Sequence, residues 1–269
     1  MDMLTRTRRA LFLFFRFLAQ NTKIKLEYKA DSLILFFSGA ALQGIGFLFL
    51  SVLFTRIPSI QGWSKWEIVF MLALIFFSEG LVSFAFEGAW QMAFLINMGD
   101  MDRILLRPVS PILQILTFTM GIHGIGNMVM GAVLFVLSLS HTLIAWSAAK
   151  ALFVPVFILS ACAIRTAISF AANCSAFWIK AMSNAIPLMV FQLADFAKYP
   201  ASMFGRAIES VIIFIVPYAF ISYFPAVYLF DKAAWGAIAW LSPLVALWLA
   251  FVAKKIFYIG LSRYESAGN

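Results

Sequence analysis

Residues 97–116, NMGDMDRILLRPVSPILQIL, decide how this chain is read. Long apolar stretches flank them, yet Asp100, Asp102, Arg103 and Arg107 fall close together here, and Pro108 and Pro111 close the turn. A soluble helical protein has no reason to confine its charges to so short an interval. A chain that crosses a bilayer does, because charged side chains are costly in lipid and collect in the connections between spans.

The composition outside this stretch says the same. The 269 residues are 63% hydrophobic and only 12% charged, with 30 Phe, and the mean hydropathy is +0.94. Soluble chains carry about a quarter charged residues. Since roughly 20 apolar residues span the hydrocarbon core as a helix, the pattern predicts six spans, at 33–55, 67–97, 112–139, 149–176, 183–198 and 235–257. The expected fold class is an all-α polytopic membrane protein. One domain fills 1–269: a cytoplasmic or interfacial helix in 1–32, the bundle in 33–257 and a cytoplasmic tail in 258–269.

The net charge of +8 would suit a nucleic-acid partner, but its placement does not. Seven of the 20 Lys and Arg lie in the first 29 residues, ahead of the first span. With that topology the cytoplasmic segments hold 13 Lys and Arg and the outer segments 6, which satisfies the positive-inside rule and puts both termini in the cytoplasm. The lipid bilayer is the expected partner, and nucleic acid is not. Residues 4–20, LTRTRRALFLFFRFLAQ, set Leu4, Leu11, Phe14, Phe15 and Leu18 on one helical face and Arg9 and Arg16 on the other, as in a helix lying in the membrane interface. Arg16 interrupts the apolar stretch and no small-residue cleavage site follows, so no removable signal peptide is expected. Trp63 and Trp66 stand where interface anchors belong.

Two ends inside require an even number of crossings, yet residues 199–234 are apolar enough for a further span. Tyr199-Pro200, Pro217 and Pro225 cut that segment into pieces too short to cross. It is expected to be a re-entrant hairpin in the outer leaflet, lining a pathway or its lid, because irregular backbone at that depth needs cover. The other reading is a seventh span.

No engine for chemistry is visible. The chain lacks GxxxxGK[ST], HExxH, GxSxG and CxxC. Cys162 and Cys174 lie about 18 Å apart on a helix, too far for a bridge, and His123 and His141 are isolated, so neither a disulfide nor a metal site is expected. The candidates that remain are charges inside the spans: Glu79 and Glu87 in the second, Arg165 in the fourth and Asp195 in the fifth. Glu79 and Arg165 lie at similar depth and are expected to pair. Whether the pair fixes packing or meets substrate stays open, and Asp195 has Lys198 or the helix break before Pro200 as alternatives. Small residues at Ala163, Ala167, Ala171 and Ser175, and at Gly121, Gly124, Gly126 and Gly131, mark seams of close helix contact.

The interrupting stretch itself predicts a short helix, MDRILLR, begun by Asp100 and Asp102 and stiffened by the prolines. Leu105 and Leu106 would stay half exposed on it, which suits a docking surface better than a plain connector.

An amphipathic N-terminal helix, six spans, a charged helical loop after the second span and a broken hairpin before the last resemble the permease subunits of ABC-2 type exporters. GDMDRILLRP, with Gly99, Asp102, Leu106, Arg107 and Pro108, and the later KYP…IVPYAFISYFP look like one bacterial branch of that family. The resemblance implies a permease of the bacterial inner membrane working with a separate ABC ATPase subunit, which would carry the ATP and Mg. It also implies a second permease as homodimer or heterodimer. It makes residues 99–108, including Asp100, Arg103 and Leu105, a coupling helix seated in an ATPase groove. The segment from Tyr199 through Pro225 becomes the outer gate. An apolar lining would suit an amphipathic or lipid-like substrate. Two other classes remain: a channel or secondary transporter, which would need its own polar pathway, and a lipid-acting membrane enzyme, which would need a catalytic cluster that is not visible.

Overall fold

The computed structural model describes residues 3–179 and 184–266, and side chains from residue 8 onward. The turn expected around Lys180, the side chain of Leu4 and the last residue, Asn269, lie outside the described residues. Every element described is helical, apart from one isolated bridge between Ile60 and Trp63. Five helical stretches are long and apolar enough to cross a membrane: Lys29–Arg56, Lys65–Asn97, His123–His141, Ala148–Phe177 and Ala234–Leu261. The chain is a multi-pass helical membrane protein.

Helix α1 (Met3–Glu27) leads into α2 (Lys29–Arg56), which stops before Pro58. Ser64 then opens α3 (Lys65–Phe86) with a capping box, its N–H donating to Glu67 Oε2 at 2.8 Å. The span continues through a 3-10 turn, Glu87–Gln91, into α4 (Met92–Asn97). The connection carries α5 (Asp100–Leu105) and α6 (Pro111–Leu116), the latter with Pro at its first position, where no N–H is needed. Next come α7 (His123–His141) and α8 (Ala148–Asn173), whose cap Ser147 accepts from the Lys150 N–H. A broken region holds α9 (Ala185–Leu193), α10 (Arg206–Ser210) and α11 (Tyr223–Leu229). A 3-10 stretch, Ala234–Leu241, runs into α12 (Ser242–Leu261).

α3 is the central strut: 72% of its most apolar stretch is buried, against 17% for α2. Helices in lipid gain little from apolar burial and rely on close backbone approach. Glycines on α7 supply it on two sides. A Cβ at Gly124 would sit 2.5 Å from Gly80 O and one at Gly131 2.6 Å from Phe77 N, both on α3, while one at Gly126 would meet Phe36 O of α2 at 2.1 Å. The glycine seam is therefore a three-helix contact, completed by Gly39 and Gly80, which the sequence did not single out. Gly126→Ala should cost about 1–3 kcal/mol by overpacking. The thermal midpoint in detergent measures it, with Gly205→Ala, which meets nothing within 4 Å, expected to be silent.

Two ends of the bundle can be told apart by contact. At the near end, Ser32 Oγ donates to Lys25 O at 2.7 Å, Asn21 Nδ2 of α1 to Thr117 O at 2.8 Å, and Ser266 Oγ to Asp102 Oδ2 at 2.6 Å. At the far end, Trp66 stacks on His141 with centroids 4.1 Å apart, and Lys232 Nζ donates to Gly62 O at 3.0 Å. The chain enters 184–233 near Ser175, which accepts from Asn184 Nδ2 at 2.6 Å. It leaves at the far end, where Lys232 meets Gly62, so the region as a whole carries the chain from one end of the bundle to the other.

Several expectations change. The third span does not run from 112 to 139: it breaks between Leu116 and His123, because Thr117 Oγ1 turns back to Leu113 O and the Gly121 N–H leaves the helix for Ser83 O of α3 at 2.9 Å. The fifth span, 183–198, is not one long helix: within its described residues α9 has nine residues and gives way to 3-10 turns around the Asp195–Lys198 pair. Five helices are long and apolar enough to cross, and six spans are reached only by counting as one the pair Arg206–Ile215 and Tyr218–Leu229, bent by 73°. Pro217 lies at that bend, whereas Pro225 breaks nothing: it sits in the first turn of α11, where its missing N–H has no partner to lose. Trp63 is no interface anchor either, being 4% exposed and packed beside Tyr223.

Candidate coupling helix and intramembrane charges

The 97–116 stretch folds as a rigid prong. Gly99 takes φ +75°, a left-handed turn that a side chain would strain, and reverses the chain after α4. Asp100 and Asp102 occupy the first turn of α5, and Arg103 Nη1 meets Asp100 Oδ1 at 3.3 Å. Met101 and Ile104 are 0% and 5% exposed, so one face of α5 is anchored in the bundle. The end of the helix is bare: Leu106, just past α5, is 86% exposed, and Leu105 is 39% exposed. Buried Gln114 of α6 donates through Nε2 to Ile104 O and Val109 O, both at 3.0 Å, and clamps the turn that holds Arg107 and Pro108. Sequence reasoning passed over Gln114, although a lone amide in PILQIL is a signal of a buried polar duty.

Asp102 is half-buried. Its carboxylate accepts from Ser266 of the C-terminal segment. Burial and this same carboxylate push the neighbouring Tyr264 phenol up to about 12, so it stays neutral. Helix α1 lies along the other side of the prong: Arg9, Ala10 and Leu13 share a hollow with Pro108 to Ser110, and Phe14 lies 5.5 Å from Phe86. The face it turns to the bundle holds Leu13, Phe14 and Leu18, while Leu11 and Phe15 are exposed beside it.

The charges within the spans separate into three places. Arg165 Nη2 meets Glu79 Oε2 at 3.0 Å, and the expected pair is present, with the Arg side chain 4% exposed. Its guanidinium also stands 5.4 Å from the Phe191 ring of α9. Buried Tyr218, at the bend of the 206–229 pair, lines the same small cavity of about 20 Å³, room for one water. Asp195 pairs with Lys198 at 2.6 Å and is 65% exposed. Glu87 lies apart, in the 3-10 turn, where the Gly121–His123 backbone passes it.

The 199–234 segment is pinned at both ends. Tyr199 is extended, as the residue before Pro200 must be, and Ser222 Oγ donates to Ala197 O at 2.5 Å. At its exit, Lys150 Nζ donates to Leu229 O at 3.0 Å and to Asp231 at 2.6 Å. Lys232 meets Glu67 Oε2 at 2.8 Å. Lys150, Asp231, Lys232 and Glu67 form a latch between this segment, α3 and α8. Sequence reasoning counted its two lysines only as outer-loop charges.

The small residues of α8 do not form one helix seam. Ala163 and Ala167 face an apolar cleft, and Ser175 instead bonds Asn184. Against known proteins, a family model described as ABC-2 family transporter protein matches residues 40–268. No curated protein matches, and no solved structure does.

Proposed function

Because the chain belongs to the ABC-2 transporter family, in which a membrane subunit works with an ATPase, we propose that it is the permease of an ATP-driven exporter. It moves an amphipathic or lipid-like substrate out of the cytoplasm or inner leaflet of a bacterial inner membrane. ATP and Mg belong to a separate subunit, and a second permease, identical or not, completes the pathway. The observation that carries this reading is α5: a short helix fixed by Met101 and Ile104, with Leu106 bare at its tip. A helix so anchored and so exposed transmits force to the spans it joins, here through α4 into α3 and through α6 toward α7. Gly99, Asp100, Arg103, Leu105, Leu106, Arg107 and Pro108 serve that contact, and Asp102 braces the C-terminal segment.

The near end holds α1, the prong and the C-terminal segment together, which supports placing it in the cytoplasm, in line with the 13-to-6 charge split. The bent pair, with Pro217 at its apex and Tyr199-Pro200 and Pro225 on either side, is then a re-entrant outer gate. Tyr218 reaches down to the Glu79–Arg165 pair, so opening the gate disturbs that pair. Asp195 and Glu87 are further polar points along the way.

Purification of the tagged chain from its own membranes tests this. An ATPase subunit bearing a P-loop should co-purify in stoichiometric amount, and the complex should hydrolyse ATP. A chain that transports in vesicles without any ATPase would sink the reading in favour of a channel or secondary transporter.

A further inference from the structure

We infer that the cleft between α1, α3, α8 and α12 holds an acyl chain of an anionic phospholipid, with the phosphate on Lys254. The cleft measures about 700 Å³ and is walled by Phe14 of α1, Phe86 of α3, Leu116 of α6, Ala163 of α8 and Ala250 of α12. It is almost wholly apolar and opens beside Leu159, which is 70% exposed. Hydrocarbon matches such a lining, whereas a polar ligand would leave its own groups unpaired there.

The rim names the head group. Lys254 is the one charged side chain that lines the cleft, and among the described residues it makes no ion pair. It lies seven residues, about 10 Å, before the end of α12. Lys254 is exposed, so its ammonium stands at the mouth of the cleft, placed to meet an anionic head group where the apolar lining reaches the membrane interface. The same exposed face of α12 continues with Lys255, Tyr258 and Ser262, so cationic and hydroxyl groups follow directly where the apolar lining ends. An apolar trough that ends in two lysines has the polarity of one anionic lipid. Basic pockets between helices at the cytoplasmic side recognise such head groups by the same physics. From the prong the cleft takes only Ile112 and Leu116 of α6 and nothing of α5, and it does not depend on which cargo is exported.

Native mass spectrometry of the full chain in mild detergent tests it, with phosphatidylglycerol and phosphatidylcholine of identical acyl chains as probes. The wild type should retain one phosphatidylglycerol per chain in preference to phosphatidylcholine, and Lys254→Gln should lower that preference by about fivefold, the worth of one lysine near an anionic surface. Ala163→Trp and Ala250→Trp, from opposite walls, should each reduce retention of both lipids by about tenfold, since displacing two methylenes suffices for that. Two Trp variants keep the test sound if one folds poorly. Equal retention of the two lipids by the wild type, or an unchanged preference in Lys254→Gln, would overturn the assignment. So would a wild-type dimer that retains no lipid, which would give the cleft to a second copy of the chain.

Discussion

Leu106→Glu should abolish export while leaving the protein at normal levels in the membrane. Leu106 is 86% exposed, so the substitution removes nothing from the chain's own packing, and surface changes of this kind usually stay within about 0.5 kcal/mol. In an ATPase groove the same residue is desolvated. A carboxylate buried there without a partner costs about 3–5 kcal/mol, which weakens docking by roughly a hundred- to several-thousandfold. Arg107→Ala should give a milder version, because a rim cation contributes less than a buried anchor. Export assayed beside ATPase co-purification separates the two effects. Met101→Glu provides the contrast: Met101 is 0% exposed, so this variant should lose folded protein rather than coupling. Unimpaired export by Leu106→Glu and Arg107→Ala together would reduce the prong to a connector.

Arg165→Ala should lower the thermal midpoint by on the order of 10 °C. The substitution leaves Glu79, with 16% of its side chain exposed, facing Phe191 and Tyr218 without a cation. Breaking one half of a buried pair costs about 3–5 kcal/mol, and a chain of this size shifts by about 2–4 °C per kcal/mol. The pair need not be a net stabiliser for this to hold. Replacing both partners, as in Glu79→Leu with Arg165→Met, should recover most of the loss, since a well-packed apolar pair often equals a buried ion pair. The exchange Glu79→Arg with Arg165→Glu should recover part of it. If stability follows this pattern but export stays lost in the apolar double variant, the pair is needed for gating as well as packing. Equal midpoints for all variants would show that each charge is solvated by itself, contrary to the 3.0 Å contact.

Much of the architecture was legible before any coordinates. Lipid imposes its rule on each segment separately, so apolar length alone located Lys29–Arg56, Lys65–Asn97, Ala148–Phe177 and Ala234–Leu261. Asp100 and Asp102, with the prolines that follow, marked α5 through local preferences, and equal depth along two spans was enough to pair Glu79 with Arg165. Depth along a helix is a one-dimensional quantity, which is why a sequence carries it.

What the tertiary structure decided depends on which backbone atoms a neighbour approaches. The third span breaks at 117–122 because Ser83 O takes the Gly121 N–H. α9 ends after nine residues in 3-10 turns, and the bend near Pro217 delivers Tyr218 to an ion pair formed by two other helices. Lys150 and Lys232 join α8 and α3 to a segment about 80 and 170 residues away in sequence, and Ser266 reaches back to Asp102. Ala163, readable as a seam residue, is exposed and lines an apolar cleft instead. Hydropathy and periodicity determine that a side chain leaves water or faces one side of a helix. Which partner waits there is set by the packing of all the spans at once, and only the folded bundle supplies it.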